Sequence, residues 1–445
     1  MRFAKAIPLC LAIIVYCTAA LSADRGDPAD EYFSQGLAFF QNHQFSEAVD
    51  AYSKAIDARP GFTTAYYNRA VAKLNLSRYE SAISDYNVVI ETIPKHKKAH
   101  LYRGFCWLKL QDYKKARIDF DLVLADDHFQ VDALFNRGVT FMKQQIYDQA
   151  IADFSNVIKY KSTHTEAYFC RGFCYAQRNE PVLALNDYNQ QIRINPQHQD
   201  VYINKGNTEM RLELFSEAIL TYQQAIIFQP DHSEAYLGRG LANLNLLQYH
   251  KAIEDFDKAV QLGCDQNVYK NRALANLELQ SYKEAQSDLA QYLRTYPDDV
   301  EALLTKARLH NIREEYREAN ECLANVLKIH PESIEAHLLR GFSNQSTGQI
   351  KEAIIDYTEV IGRDPENQNA LFNRGNLYFE SGNWEMSIKD FDQLIAVNSG
   401  LENAYLMRAK AKINATDIDS GCSDLKKAKI LGSAEAKQLM HQFCR

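Results

Sequence analysis

In this chain a small residue is followed twelve positions later by another, and the motif returns every 34 residues with one 33-residue exception. The pairs run Gly36/Ala48, Ala70/Ala82, Gly104/Ala116, Gly138/Ala150, Gly172/Ala184 and Gly206/Ala218. They continue through Gly240/Ala252, Ala273/Ala285, Ala307/Ala319, Gly341/Ala353, Gly375/Ser387 and Ala409/Gly421. A period of this length predicts stacked units, each burying its apolar face against its neighbours. At 445 residues, length alone suggests two or three domains. The unbroken repeat overrides that expectation and leaves little chain for a catalytic domain.

Units beginning at Ala29, Thr63, Lys97, Val131, Thr165, Gln199, Ser233, Gln266, Val300, Ile334, Gln368 and Glu402 align the remaining positions. Position eight is Gly or Ala, and position twenty is small. Position twenty-four is aromatic or Leu: Tyr52, Tyr86, Phe120, Phe154, Tyr188, Tyr222, Phe256, Leu289, Leu323, Tyr357, Phe391 and Leu425. Pro closes seven units, from Pro60 to Pro365. Two antiparallel helices approach closely only where side chains are small, and an aromatic fills the wedge beside the crossing. A terminal Pro cannot continue the second helix and turns the chain onward. The short spacing around Leu262-Gly263-Cys264-Asp265 predicts a tightened turn, not a domain break.

From residue 29 to 433 these features resemble the tetratricopeptide repeat. The resemblance implies an all-α fold, a right-handed superhelical solenoid of antiparallel helix pairs. Residues 434–445 then read as a C-terminal capping helix.

The N-terminus reads as an export leader. Arg2 and Lys5 precede an apolar run from Ala6 to Ala20, and small residues follow at Ala19, Ala20, Ser22 and Ala23. The run is short for a membrane span and Pro8 interrupts it, so cleavage after Ser22 or Ala23 is expected, with a retained anchor as the alternative. Residues 1–23 are then a signal peptide and 24–28 a short linker. Losing Arg2 and Lys5 takes the net charge from -7 to about -9 (-7 minus 2), which argues against nucleic acid as a partner.

Seven cysteines remain after cleavage. Cys422 opens the last second helix and Cys444 lies near the end of the chain, with the intervening turn near Gly432-Ser433. Antiparallel helices bring the two level, so a disulfide is expected in an exported protein. Cys106, Cys170, Cys174, Cys264 and Cys322 occupy repeat slots and read as small apolar filler.

Position seven is usually Leu in the family but is Arg in nine units here, and the same nine carry Asp at position twenty-three. The pairs are Arg69/Asp85, Arg103/Asp119, Arg137/Asp153, Arg171/Asp187, Arg239/Asp255, Arg272/Asp288, Arg340/Asp356, Arg374/Asp390 and Arg408/Asp424. Internal repeats thus supply covariation within one sequence. It predicts an ion pair between the two helices of each unit, fixing register more than adding stability.

In the family the first helices line the inner surface, where positions two, five, six, nine, twelve and thirteen tend to face a partner. Position six holds Asn68, Asn136, Asn204, Asn271 and Asn373, similar to the asparagine ladder with which some superhelical members grip peptide backbone. The ladder is broken by Tyr102, Cys170, Gly238, Thr305, Leu339 and Met407. Aromatics cluster early, and Tyr67, Phe105, Phe135, Phe169 and Phe173 beside Asn68, Asn136 and Lys98 form the expected recognition groove. Asn68 and Lys98 match the carboxylate clamp of chaperone-binding members, but Phe33, Leu37 and Tyr102 replace its other residues.

The sequence contains no phosphate loop, GxSxG, HExxH or CxxC, so no catalytic residue, metal or cofactor is expected. Asn75, Asn344 and Asn414 begin Asn-x-Ser/Thr sequons, and Asn344 falls in a slot expected to be buried. The reading is a non-catalytic scaffold that binds proteins or extended peptides in an extracytoplasmic compartment, with a bacterial envelope as the setting. A substrate-presenting subunit of a separate enzyme and a glycan-binding protein are the alternatives.

Overall fold

The computed structural model describes residues 27–444, so the leader falls outside the described residues. Among these there are 25 α-helices and no strands. They form two compact units divided between Leu246 and Leu247, inside the seventh repeat and not at the 33-residue spacing.

Unit 1 begins with α1 (Pro28–Gln41), α2 (Phe45–Ala58), α3 (Thr63–Asn75), α4 (Tyr79–Thr92), α5 (Lys97–Lys109) and α6 (Tyr113–Asp126). It continues with α7 (Val131–Lys143), α8 (Tyr147–Tyr160), α9 (Thr165–Gln177), α10 (Pro181–Ile194), α11 (Gln199–Arg211), α12 (Phe215–Phe228) and α13 (Ser233–Asn245). Unit 2 holds α14 (Tyr249–Gln261), α15 (Asn267–Glu278), α16 (Tyr282–Thr295), α17 (Val300–Ile312), α18 (Tyr316–Ile329) and α19 (Ile334–Ser346). After these come α20 (Ile350–Arg363), α21 (Gln368–Glu380), α22 (Trp384–Val397), α23 (Glu402–Asn414), α24 (Ile418–Ile430) and α25 (Ala434–Phe443). Odd-numbered helices up to α23 are first helices, and each starts within one residue of its unit in the sequence frame. α1 takes Pro28 as its opening residue, so the expected linker overlaps the first helix by one position.

Several first helices, and α25, start where the residue before them caps the backbone, whereas α3, α11, α13, α15 and α23 start without a side-chain cap. Asp27, His96, His164, Asp299, Ser333, Asn367 and Ser433 each accept a hydrogen bond from a backbone N–H two or three residues on. A histidine caps only through an unprotonated Nδ1, and burial pushes both His96 and His164 below their ordinary range, toward that neutral form. Each first helix ends at a left-handed residue, and ten of these are not glycine, from His43 at φ 60° to Thr416 at φ 71°. Only Gly348 and Gly382 relieve the strain at the equivalent positions. The short spacing is a tight turn as expected, with Gly263 at φ 73°.

The core lies at the crossings. All twelve residues at position twenty-four are at most 1% exposed. Position twenty is Ala in ten units and fully buried in each of them. Ser387 occupies that slot in α22, fully buried, with its hydroxyl lacking a partner. An unpaired buried hydroxyl costs about 1–3 kcal/mol, so Ser387→Ala is expected to stabilise unit 2 by about 1 kcal/mol. A lower urea midpoint for the alanine variant would contradict this.

Candidate functional site

Eight of the nine predicted Arg–Asp pairs lie within single units of the fold, and all eight form. In Arg69/Asp85, Nε and Nη2 donate to the two carboxylate oxygens at 2.9 and 2.7 Å. Arg374/Asp390 repeats the same fork at 2.9 and 2.7 Å. The aspartates are nearly fully buried. Arg239 and Asp255 belong to different units.

The sequence reading missed the third arm of the fork. Nη1 reaches back to position twenty-five of the preceding repeat, meeting Ser53 from Arg69 at 3.0 Å and Asn87 from Arg103 at 2.7 Å. The same arm meets Asp121 from Arg137 at 2.8 Å and Thr358 from Arg374 at 2.9 Å. One guanidinium therefore sets the register within its repeat and against the previous one. Ala324 stands where Arg340 would find its acceptor. Position twenty-five varies in identity, and the signal that could have revealed it is the recurrence of oxygen-bearing side chains.

Desolvation pushes the Asp153 carboxyl up, whereas its hydrogen bond holds the Arg137 guanidinium charged. The two short bonds from one guanidinium edge decide for an ionised pair. In the sixth repeat Lys205 replaces Arg, and Glu209 of the same helix supplies the carboxylate at 2.9 Å.

His100 joins one of these networks. Its Nδ1 lies 2.9 Å from Asp119 Oδ1 and its Nε2 lies 2.9 Å from the Pro94 carbonyl, so both ring nitrogens face acceptors. The Asp119 hydrogen bond raises His100 above its ordinary value of 6.5. A raised histidine contributes stability that is complete below 6.5 and fades as pH climbs through the folded value. Urea melts should therefore show a loss on going from pH 6 to pH 8 that His100→Gln reduces. An identical pH slope in the variant would refute the assignment.

The expected recognition groove is corrected by burial. Tyr67, Phe105, Phe135 and Phe173 are 3–9% exposed and lie in the apolar core, not on an open wall. Tyr67 packs against Tyr86 and His96, and Phe135 against Phe154 and His164. Phe169 is half-buried between Tyr188 and His198. Position five faces the seam between one repeat and the next, where an aromatic removes more area from water than it could on the surface.

The asparagines divide. Asn68 and Asn136 are buried, whereas Asn204, Asn271 and Asn373 are half-buried. The Nδ2 groups of Asn136, Asn204 and Asn271 donate to carbonyls one turn back in their own helices, at 2.8, 3.0 and 2.9 Å. Asn373 donates to the Tyr357 hydroxyl at 3.3 Å. These four amides are thus engaged internally, whereas Asn68 Nδ2 is buried without a partner among the described residues, and Lys98 is half-buried. Asn344 is buried as expected, donating to Asp356 at 3.1 Å.

Position two carries carboxylates both with and without a basic neighbour; at the start of unit 1, Asp30 is met by Arg59 at 2.8 Å. In unit 2, Glu301 is met by Lys270 of the preceding first helix at 2.6 Å, and Glu335 by Arg308 at 3.1 Å. In unit 1 the same position carries Asp132, Glu166, Asp200 and Glu234 in consecutive repeats. The residues that would answer them, at positions five and nine of the preceding helix, are Leu101/Phe105, Phe135/Val139, Phe169/Phe173 and Ile203/Asn207. None is basic. These acids are exposed or half-buried. Neighbouring first helices touch from α3 to α13, so the four lie along one helical layer.

Among the described residues no group of His, Cys, Asp and Glu is arranged to hold a metal. Burial pushes the Cys106 and Cys174 thiols up to about 12, as filler requires and a nucleophile does not. No described helix is long and apolar enough to cross a membrane.

Family models described as tetratricopeptide repeat match residues 33–95, 203–266 and 344–400, and a second model of that description matches 132–160. No curated protein matches the sequence. Among solved structures, the chain is similar to the MamA protein at 23% identity, covering 38% of this chain and 93% of that one with a TM-score of 0.37. It is similar to the hetero-tetramer Cut9-Hcn1 at 12% identity, covering 94% and 96% with a TM-score of 0.43. The yeast protein Tom70 matches at 16% identity, covering 93% of each chain with a TM-score of 0.37.

Proposed function

We propose that this chain, which belongs to the tetratricopeptide-repeat family, is a non-catalytic extracytoplasmic scaffold that binds an extended, positively charged polypeptide along the first-helix layer of unit 1. The observation that carries the reading is the contrast at position two. Carboxylates there meet neighbouring bases in unit 2, while Asp132, Glu166, Asp200 and Glu234 face no Lys or Arg at positions five and nine of the preceding helix; Glu166 meets His164 at 3.4 Å, a ring that burial holds toward its neutral form. Like charges spaced along one layer repel each other, and a basic segment would relieve that repulsion. The half-buried Asn204 lies in the same layer, and its remaining polar capacity suits peptide backbone. The extracytoplasmic setting is supported by the leader-like N-terminus and by the disulfide between Cys422 and Cys444.

Fluorescent unstructured 15-residue peptides of net charge about +4, 0 and -4 provide the test, titrated into the full chain. The basic peptide should bind tightest and weaken as salt rises. The triple variant Asp132→Lys/Glu166→Lys/Asp200→Lys should lose about tenfold or more in affinity, whereas Glu301→Gln/Glu335→Gln should leave it unchanged. Binding indifferent to peptide charge, or equal in both variants, would remove the proposed surface. Recovery of an unprocessed chain from the cytosol with free thiols would remove the proposed setting.

A further inference from the structure

α25 begins as a first helix does. Ser433 caps Ala436 N at 3.2 Å, as Ser333 caps Ala336 at 3.3 Å. Ala436 is fully buried, like the third residue of every first helix in unit 2 from α17 to α23. Lys410 meets Glu435 at 2.6 Å, repeating Arg308 and Glu335. The imitation stops at position eight, where His441 replaces the small residue that a second helix needs for its crossing. Among the described residues no second helix follows α25 to hold it down as the other first helices are held.

Its own grip is slight. Of its ten residues only Ala436 is buried, with Leu439 and Met440 partly so, whereas α23 buries Ala404, Leu406, Ala409 and Ala411. A helix of this length does not persist in water unless docked. A disulfide supplements that grip. It joins Cys444, just beyond α25, to Cys422 in the opening turns of α24, with Cα atoms 5.7 Å apart. The bond closes the hairpin at the end opposite the Leu431–Ser433 turn. Both cysteines are half-buried and so within reach of a small thiol, whereas Cys106, Cys170, Cys174 and Cys322 are buried.

We propose that this disulfide is a redox latch: α25 stays docked while the bond is intact and opens when a dithiol reduces it, uncovering the apolar face formed by Leu406, Leu425 and Ala428. The chemistry is ordinary exchange. A reagent thiolate attacks one sulfur and expels the other cysteine as thiolate. The reagent's second thiol then attacks the mixed disulfide and leaves as a cyclic disulfide. Two electrons and two protons pass to the protein, giving two cysteine thiols. The latch rests on the proposed extracytoplasmic setting only for where in the cell the bond forms.

Hydrogen exchange of the purified full chain, oxidised and then treated with dithiothreitol, reads the latch. The bond spans a sequence separation of 22. For a closed loop of that size, reduction should raise the opening of residues 434–443 on the order of a hundredfold, with α15 to α22 unchanged. The variant Cys422→Ser/Cys444→Ser should exchange like the reduced protein without any reagent. Equal protection of α25 in both states would overturn the proposal. A uniform loss across unit 2 would overturn it in favour of a staple for the whole unit. Free thiols at both positions in the untreated protein would remove the latch while leaving the peptide-binding surface of unit 1 untouched.

Discussion

Asp390→Ala is expected to destabilise the α21–α22 hairpin by about 3–5 kcal/mol. Asp390 is 1% exposed and Arg374, its partner, only 9%. Removing the carboxylate strips Nε and Nη2 of their acceptors and leaves a guanidinium that cannot deprotonate in a dry crossing. Thr358 still meets Nη1 at 2.9 Å, but a hydroxyl does not balance a charge. Arg374→Leu/Asp390→Ala should recover most of the loss, because the cost lies in the orphaned charge and not in the absent pair. Repeats in an array can open separately, so protection of α21 and α22 in hydrogen exchange localises an effect that a urea melt averages over the chain. Equal loss in the single and double variants would show that the pair itself, and not the stranded arginine, carries the effect.

Gly206→Ala is expected to cost about 2 kcal/mol in unit 1, although alanine is the better helix former by about 1 kcal/mol. A Cβ at Gly206 would lie 2.7 Å from Tyr222 Cε1 and 2.8 Å from Cζ. The ring cannot retreat, because on its other side a Cβ at Gly238 would meet Cζ at 2.4 Å. Tyr222 is thus held between two helix backbones, with its hydroxyl donating to Asn207 at 2.6 Å. Gly362 is the control. It lies in a helix with nothing within 4 Å of its would-be Cβ, so Gly362→Ala should stabilise by about 1 kcal/mol. Urea midpoints that move the same way for both variants would contradict the close-packing account.

Much of this architecture was legible because the chain repeats itself. Gly206 and Tyr222 could be matched to Gly104 and Phe120 without any second sequence, and the covariation of Arg with Asp told two helices apart from one. The Nη1 contacts escaped because Ser53, Asn87, Asp121 and Thr358 share an acceptor oxygen but no residue type. The left-handed turns escaped too, since His43, Ser77 and Gln111 carry no glycine signal. The groove was misplaced for a different reason. Tyr67 and Phe135 look alike as core or as contact surface, and only the rotation of one first helix against the next decides which.

The order of residues therefore determined the helices, their pairing within a repeat and the buried charges, because each depends on spacing inside one 34-residue unit. Which polar residues stay on the surface was decided by the tertiary structure, because that depends on what the adjacent repeat places opposite them. Glu335 faces Arg308 and is neutralised, whereas the positions opposite Asp132 hold Leu101 and Phe105. The surface charge of this protein is therefore set between repeats, whereas its buried Arg–Asp pairs are set within them.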